Sequence, residues 1–127
     1  MTDRPRVLVI DDDTAMREMV VCMLDCSGYD AEAAADADSA LFALRERPFD
    51  AVVCDVHMPR RNGFEFARSL PWVRPGTPVV LMSSFGGPAT RAEAERAGAG
   101  AFVAKPFSRV GLLDAIAQAR GRAAGPA

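Results

Sequence analysis

Four apolar runs in this 127-residue chain each end in residues able to handle a phosphoryl group. Val7-Leu8-Val9-Ile10 is followed by Asp11-Asp12, and Ala51-Val52-Val53-Cys54 by Asp55. Val79-Val80-Leu81-Met82 leads to Ser83, and Ala101-Phe102-Val103-Ala104 to Lys105-Pro106. If the runs are parallel strands, three carboxylates, a hydroxyl and an ammonium meet at one edge of one sheet. A carboxylate attacks phosphorus poorly unless charge repulsion is neutralised, which a divalent cation bridging protein and phosphoryl oxygens achieves. Mg2+, or Mn2+ in its place, suits hard oxygen ligands such as Asp11, Asp12 and Asp55. Phosphoryl transfer spreads charge over the transferred oxygens, so placed donors and cations supply most of the stabilisation. Lys105 offers a point charge, Ser83 a hydroxyl, and the backbone N–H groups near Val56 and Ser84 complete the cradle. Asp55, alone on the central strand, is the expected nucleophile.

Taken singly, each residue has an ordinary reading. An Asp-Asp pair after a strand is often a helix-capping turn, and a Lys-Pro step is usually surface. Their joint occurrence, in order and at strand ends, favours a site.

Strand-like runs alternate with helix-like segments five times, which predicts an α/β fold with a parallel sheet. Such sheets bind ligands beyond the carboxyl ends of their strands, where strand order reverses. The first helix has the clearest period: Met16, Met19, Val20, Met23 and Leu24 form one apolar stripe, with Asp13 or Thr14 as N-cap and Ser27-Gly28 as the stop. The second strand, residues 30–34, has poor β-propensity and is placed by topology. A second helix is predicted over residues 38–46, with Ala40, Leu41 and Leu44 inward and Pro48 helping to end it. Asn62 caps a third helix that stops before Pro71, and Gly63 allows a close turn. Residues 72–77 read as a surface loop anchored by Trp72. Gly86-Gly87 makes a compliant segment before a fourth helix over residues 88–97, which ends at Gly98 and exposes Arg91, Glu93, Glu95 and Arg96. The fifth helix starts near Ser108, with Leu112, Leu113 and Ile116 inward. Residues 1–120 are expected to form one domain, and residues 121–127 a flexible tail.

The bulk properties exclude several classes. A net charge of −2 does not recruit nucleic acid or an anionic membrane. No apolar run approaches the roughly 20 residues that span a bilayer, and the start of the chain lacks an export signal. The three cysteines, Cys22, Cys26 and Cys54, are too few for a disulfide framework and read as buried small hydrophobes. A cytoplasmic location fits them.

At these residues the chain resembles the receiver domain of two-component response regulators, in its single-domain, chemotaxis-regulator-like form. The resemblance runs from Val7 to about Arg120. It is carried by the strand and acidic pair ending in Asp11-Asp12-Asp13, by Asp55-Val56-His57-Met58-Pro59 with Asn62-Gly63, by Ser83-Ser84, and by Lys105-Pro106-Phe107. It implies a flavodoxin-like (βα)5 three-layer sandwich with strand order 2-1-3-4-5 and a cis Lys105-Pro106 bond. It also implies that Asp55 accepts phosphate from a histidine kinase or phosphotransfer protein. Asp12 would ligate Mg2+ directly, Asp11 largely through water, and the His57 backbone carbonyl would be a further ligand. Ser83 would move toward the phosphoryl group, Lys105 would pair with it, and Phe102 would be the switch aromatic. Phe102 lacks the hydroxyl of the commoner tyrosine, so packing must hold its rotamer. His57 and Phe85 are expected to flank the phosphoryl group and tune its hydrolysis.

The function expected is a regulatory phosphoacceptor rather than a turnover enzyme. It would bind a downstream protein through the face of the fourth helix, fifth strand and fifth helix, as a monomer or phosphorylation-dependent dimer. Two alternatives compete. One is a receiver-like scaffold that works without phosphorylation. The other is a haloacid-dehalogenase-type phosphatase using Asp11 and Asp13, which Ala15 and the lack of room for a cap disfavour.

Overall fold

A computed structural model describes residues 4–124. The elements alternate as expected: β1 (Arg6–Ile10), α1 (Thr14–Asp25), β2 (Asp30–Ala34), α2 (Ala37–Glu46), β3 (Ala51–Asp55), α3 (Gly63–Val73), β4 (Val79–Ser83), α4 (Pro88–Arg96), β5 (Ala101–Ala104) and α5 (Arg109–Ala124). All strand pairs are parallel, and the sheet order is β2-β1-β3-β4-β5. This is the flavodoxin-like arrangement, and the order reverses between β1 and β3.

The sheet is buried on both faces, which is why its central strands are apolar at every position rather than alternating. Side chains on a strand point to opposite faces in turn. Leu8, Ile10, Val52, Cys54, Val79 and Leu81 therefore pack with α2, α3 and α4. Val7, Val9, Ala51, Val53, Val80 and Met82 pack with α1 and α5. Both core clusters thus meet on β3, whose every residue is buried.

Propensity is overridden at β2. Asp30–Ala34 has no β-branched residue, yet its backbone pairs with β1 from Arg6↔Asp30 to Ile10↔Ala34. Glu32 lies on this edge within reach of Arg6 and Arg47. The sheet supplies the hydrogen bonds that the sequence would not claim alone.

Several local expectations are corrected. Helix α3 does not stop before Pro71 but runs through it to Val73, and Arg74 N–H still bonds the Leu70 carbonyl at 2.8 Å. A helix can absorb one missing N–H in its last turns when the preceding face is buried, and Phe66, Ala67 and Leu70 are. Trp72 consequently lies on this helix and is 89% exposed, rather than in a surface loop. Cys22 and Cys26 are exposed, not core. Each is two positions from Leu24, about 200° round a 3.6-residue turn from the buried line of Val20 and Leu24. Met19 also sits at the edge of that stripe, 42% exposed. Cys54 is buried as expected, and desolvation pushes its thiol well above the ordinary range.

Helix α2 starts one residue earlier than predicted, because Asp36 rather than a later residue accepts the Ser39 N–H as N-cap. Helix α5 continues through residues 121–124, where a tail was expected; residues 125–127 lie outside the described part of the chain. No helix among the described residues is long and apolar enough to cross a membrane.

Candidate functional site

The carboxyl ends of β1, β3, β4 and β5 bring the chemistry-bearing residues together. Asp11 follows β1 and is fully buried; Asp55 ends β3 and is 6% exposed; Ser83 ends β4 and is fully buried. One oxygen each of Asp11, Asp12 and Asp55 lies within 4.8 Å of the others. Lys105, just past β5, places Nζ 3.2 Å from Asp11 Oδ2 and 3.2 Å from Asp55 Oδ1. The Lys105-Pro106 bond is cis, as the resemblance implied.

The charges in this pocket are unbalanced. Lys105 offsets one of the three carboxylates and leaves two uncompensated. Burial pushes the Asp55 carboxyl above its ordinary pKa; Lys105 pulls it back, and Asp11 pushes it further up. Burial works against the Lys105 ammonium, but the Asp55 and Asp11 carboxylates together outweigh it and hold its pKa above the ordinary value. A cluster of hard oxygen donors with two surplus negative charges fits a divalent cation of the Mg2+ class.

Backbone geometry fixes the cluster. Asp11 Oδ1 accepts the Asp13 N–H at 2.9 Å, and the Asp11 carbonyl accepts from Arg17 Nη1 at 2.7 Å. Asp13 is the N-cap of α1, with Oδ1 accepting the Met16 N–H at 3.2 Å. That role occupies the carboxylate which a paired-aspartate phosphatase would need free. After β3, Val56 N–H bonds the Met82 carbonyl at 2.9 Å, so it continues the sheet rather than facing the pocket. The backbone N–H of His57 bears on the Asp55 carboxylate and acts to lower its pKa. That N–H lies next to Val56, in the segment from which a backbone donor is expected.

Gly63 is needed here for lack of volume. A Cβ on it would fall 2.5 Å from the Asp55 carbonyl oxygen and 2.8 Å from Val56 Cα. Asn62 and Glu65 form a reciprocal capping box at that same turn, with both bonds at 2.9 Å. The start of α3 is thereby pressed against the strand end that carries Asp55.

Ser83 is fully engaged. Its Oγ accepts the Phe85 N–H at 2.9 Å and lies 3.1 Å from His57 Nε2. The rings of His57 and Phe85 meet edge to face with centroids 5.0 Å apart. The pair expected to flank a phosphoryl group therefore stands together, and the His57 side chain, exposed on its loop, reaches the buried serine. Phe102, on β5, is half-buried and faces α4 rather than the pocket; its ring lies under the Arg91 guanidinium, 4.9 Å from centroid to Cζ. Arg91 was read only as a member of an exposed helical face, since spacing along one helix carries no sign of a ring on a distant strand.

Residues 7–117 match the model of the response regulator receiver domain. The chain belongs to this family. It is 35% identical to the transcriptional regulatory protein FixJ of Bradyrhizobium diazoefficiens, over the whole of this chain and 62% of that protein. It is also 35% identical to the response regulator FleR of Pseudomonas aeruginosa, over 89% of this chain and 24% of FleR. It thus spans less than two thirds of either relative. Among solved structures, the chemotaxis protein CheY4 of Vibrio cholerae superposes with a TM-score of 0.85 at 31% identity, covering 91% of this receiver domain and 98% of CheY4. A response regulator from Burkholderia pseudomallei, solved with a phosphorylated aspartic acid, a calcium ion and citrate, superposes at 0.81 with 25% identity over 88% of this chain and 66% of that one.

Proposed function

We propose that this receiver domain takes a phosphoryl group onto Asp55 from a phosphohistidine on a histidine kinase or phosphotransfer protein. The observation that carries the reading is Lys105, bonded to both Asp11 and Asp55 beside the buried Ser83. An Asp55 carboxylate oxygen attacks phosphorus, the new O–P bond forms, the N–P bond breaks, and the imidazole of the donor leaves. Lys105 exchanges its bond to Asp55 for one to a phosphoryl oxygen, and Ser83 turns its hydroxyl toward another. The acidic pocket fits Mg2+ or Mn2+, which Asp12, Asp55 and the His57 backbone carbonyl would hold, with Asp11 acting largely through water. Bound there, the cation supplies neutralisation of charge between carboxylate and phosphoryl oxygens. The phosphorylated aspartate and calcium ion of the Burkholderia relative support this reading by similarity.

His57 and Phe85 shield the phosphoryl group and set the rate at which water removes it. Their ring contact, and the reach of His57 to Ser83, support that role. Self-phosphotransfer and self-dephosphorylation are the only chemistry assigned to the domain. Residues 1–120 constitute the signalling unit, and it acts in the cytoplasm, as a monomer or phosphorylation-dependent dimer. Ser83 rearrangement displaces the β4–α4 loop, Phe102 changes position, and a downstream protein reads the α4–β5–α5 face. A coupling of about 1–3 kcal/mol between the two sites suffices.

Labelling with acetyl phosphate and Mg2+ tests the assignment. Wild type becomes labelled and Asp55→Ala does not; label retained elsewhere on the Asp55→Ala chain would refute the site. Phosphoaspartate lifetimes in His57→Ala and Phe85→Ala differ from wild type if the rings shield the group, and equal lifetimes remove that role.

A further inference from the structure

Helix α4 is the most weakly held of the helices that cover the sheet. Its N-terminus has no side-chain cap, and its only buried residue is Ala94. Glu93 pairs with Arg68 of α3 at 3.2 Å, but that pair is solvent-exposed and such pairs contribute little. Arg91 is different because it binds two other elements at once. Its guanidinium covers the Phe102 ring on β5, and its Nε donates to the Gly86 carbonyl at 3.1 Å. Gly86 lies in the loop three residues after Ser83 and is itself seated on β5, where a Cβ would come 2.8 Å from Ala104 Cβ. Behind this contact lies a cleft of about 280 Å³, lined by Ala94, Glu95, Phe102 and Gln118, among others.

We infer that Arg91 is the positioning residue that holds Phe102 in its half-buried position beneath α4 in the unphosphorylated domain, supplying the polar anchor that a phenylalanine ring lacks. The inference rests on the reading of Phe102 as the residue that carries the signal. One side chain bonds both the loop that follows Ser83 and the ring on β5. A displacement of the loop at Gly86 therefore draws the guanidinium off the ring and releases it. No tyrosine hydroxyl is required, because the loop-to-ring link is made by the arginine. The energy is of the right size for a switch: an exposed cation–π contact biases a two-state equilibrium about two- to fivefold.

The test is a double-mutant comparison on the whole chain. Arg91→Ala keeps a good helix former in the first turn of α4, so the fold is retained. In wild type, NOEs from the Phe102 ring reach α4, and its side-chain couplings report one dominant rotamer. Arg91→Ala raises the population of Phe102 rotamers other than the one under Arg91 about two- to fivefold. Arg91→Gln, which can still donate to Gly86 but carries no charge, behaves like Arg91→Ala if the ring contact holds Phe102, whereas Arg91→Lys partly rescues. With acetyl phosphate, Arg91→Ala speeds Asp55 labelling by the same factor, and this gain disappears in a Phe102→Leu background. An unchanged Phe102 rotamer in Arg91→Ala overturns the inference, as does an equal labelling gain with and without the ring. The rotamer measurement needs no phosphorylation, so a failure to label wild-type Asp55 would defeat the phosphoacceptor reading while leaving the Arg91 result to stand by itself.

Discussion

Helices α3 and α4 cover the same face of the sheet and are built to opposite standards. α3 begins with a complete capping box, buries Phe66, Ala67 and Leu70, and lays Gly63 against the backbone of Asp55. α4 begins at an uncapped glycine and buries one alanine. Under the proposed function, the first seats the phosphoacceptor Asp55, and the second belongs to the face offered to a partner. On that reading, firm packing falls where carboxylate oxygens must be held in place, and weak packing where two arrangements need to be close in energy. Segments that move in signalling are drawn from the low-stability end of a fold.

The contrast is broken most forcefully in the core. Phe66→Ala should cost about 3–5 kcal/mol, the usual range for a buried phenylalanine, whereas Ala94→Gly in α4 should cost about 1 kcal/mol. Urea denaturation of both variants measures the ratio; equal losses would mean that α4 is as firmly held as α3.

A smaller effect is expected at the turn into α3. Gly63→Ala forces a methyl group into the Asp55 carbonyl, and overpacking of this kind costs about 1–3 kcal/mol. Labelling of Asp55 should fall in parallel, because the strand end must shift. A variant with wild-type stability and labelling would show that the contact yields freely.

The pocket itself should weaken the fold. The Asp55 pKa is raised in the folded state, so folding favours its protonated form. Between the unfolded pKa and the raised folded value the native state binds more protons, and stability falls as pH rises. Above the folded value the full penalty remains. Asp55→Asn should therefore raise the melting temperature of the metal-free domain at neutral pH, with the gain fading as pH drops below the ordinary carboxylate range. A gain that grows toward acid pH would contradict the assigned direction.

The smallest effect probes α4 alone. Gly87 is extended, with open space where a Cβ would stand. Gly87→Ser should supply the missing cap and stabilise by only a few tenths of a kcal/mol. If α4 must stay loosely held, this slight gain should reduce the response of the α4–β5 face to phosphorylation, read as smaller amide shift changes on labelling.

Much of this was legible in the chain. The four apolar runs and their polar ends announced the sheet and the pocket, because a strand buried on both faces must be apolar throughout and its first polar residue marks the end of the apolar run. Asp11, Asp55, Ser83 and Lys105 could be found for that reason. Asn62 and Gly63 were legible as turn chemistry, although the reason for the glycine, the carbonyl of Asp55, was not. Local reading failed where neighbours outvoted it. Pro71 did not stop a helix whose inner face was buried, and β2 formed despite its composition because β1 offered a ladder. Cys22 and Cys26 lie outside the buried line of α1, which only the seat of that helix on the sheet defines.

The chain alone set the period of most elements, though not of β2, and the order of the acidic, hydroxyl and cationic residues, and so the class of chemistry. Tertiary structure decided which atoms meet: Lys105 between Asp11 and Asp55, His57 at Ser83, and Arg91 between Gly86 and Phe102. Periodicity is a local property that a chain carries along its length. A contact between side chains on different elements depends on register, twist and the angle at which each helix is laid, and those are settled only when the whole core packs at once.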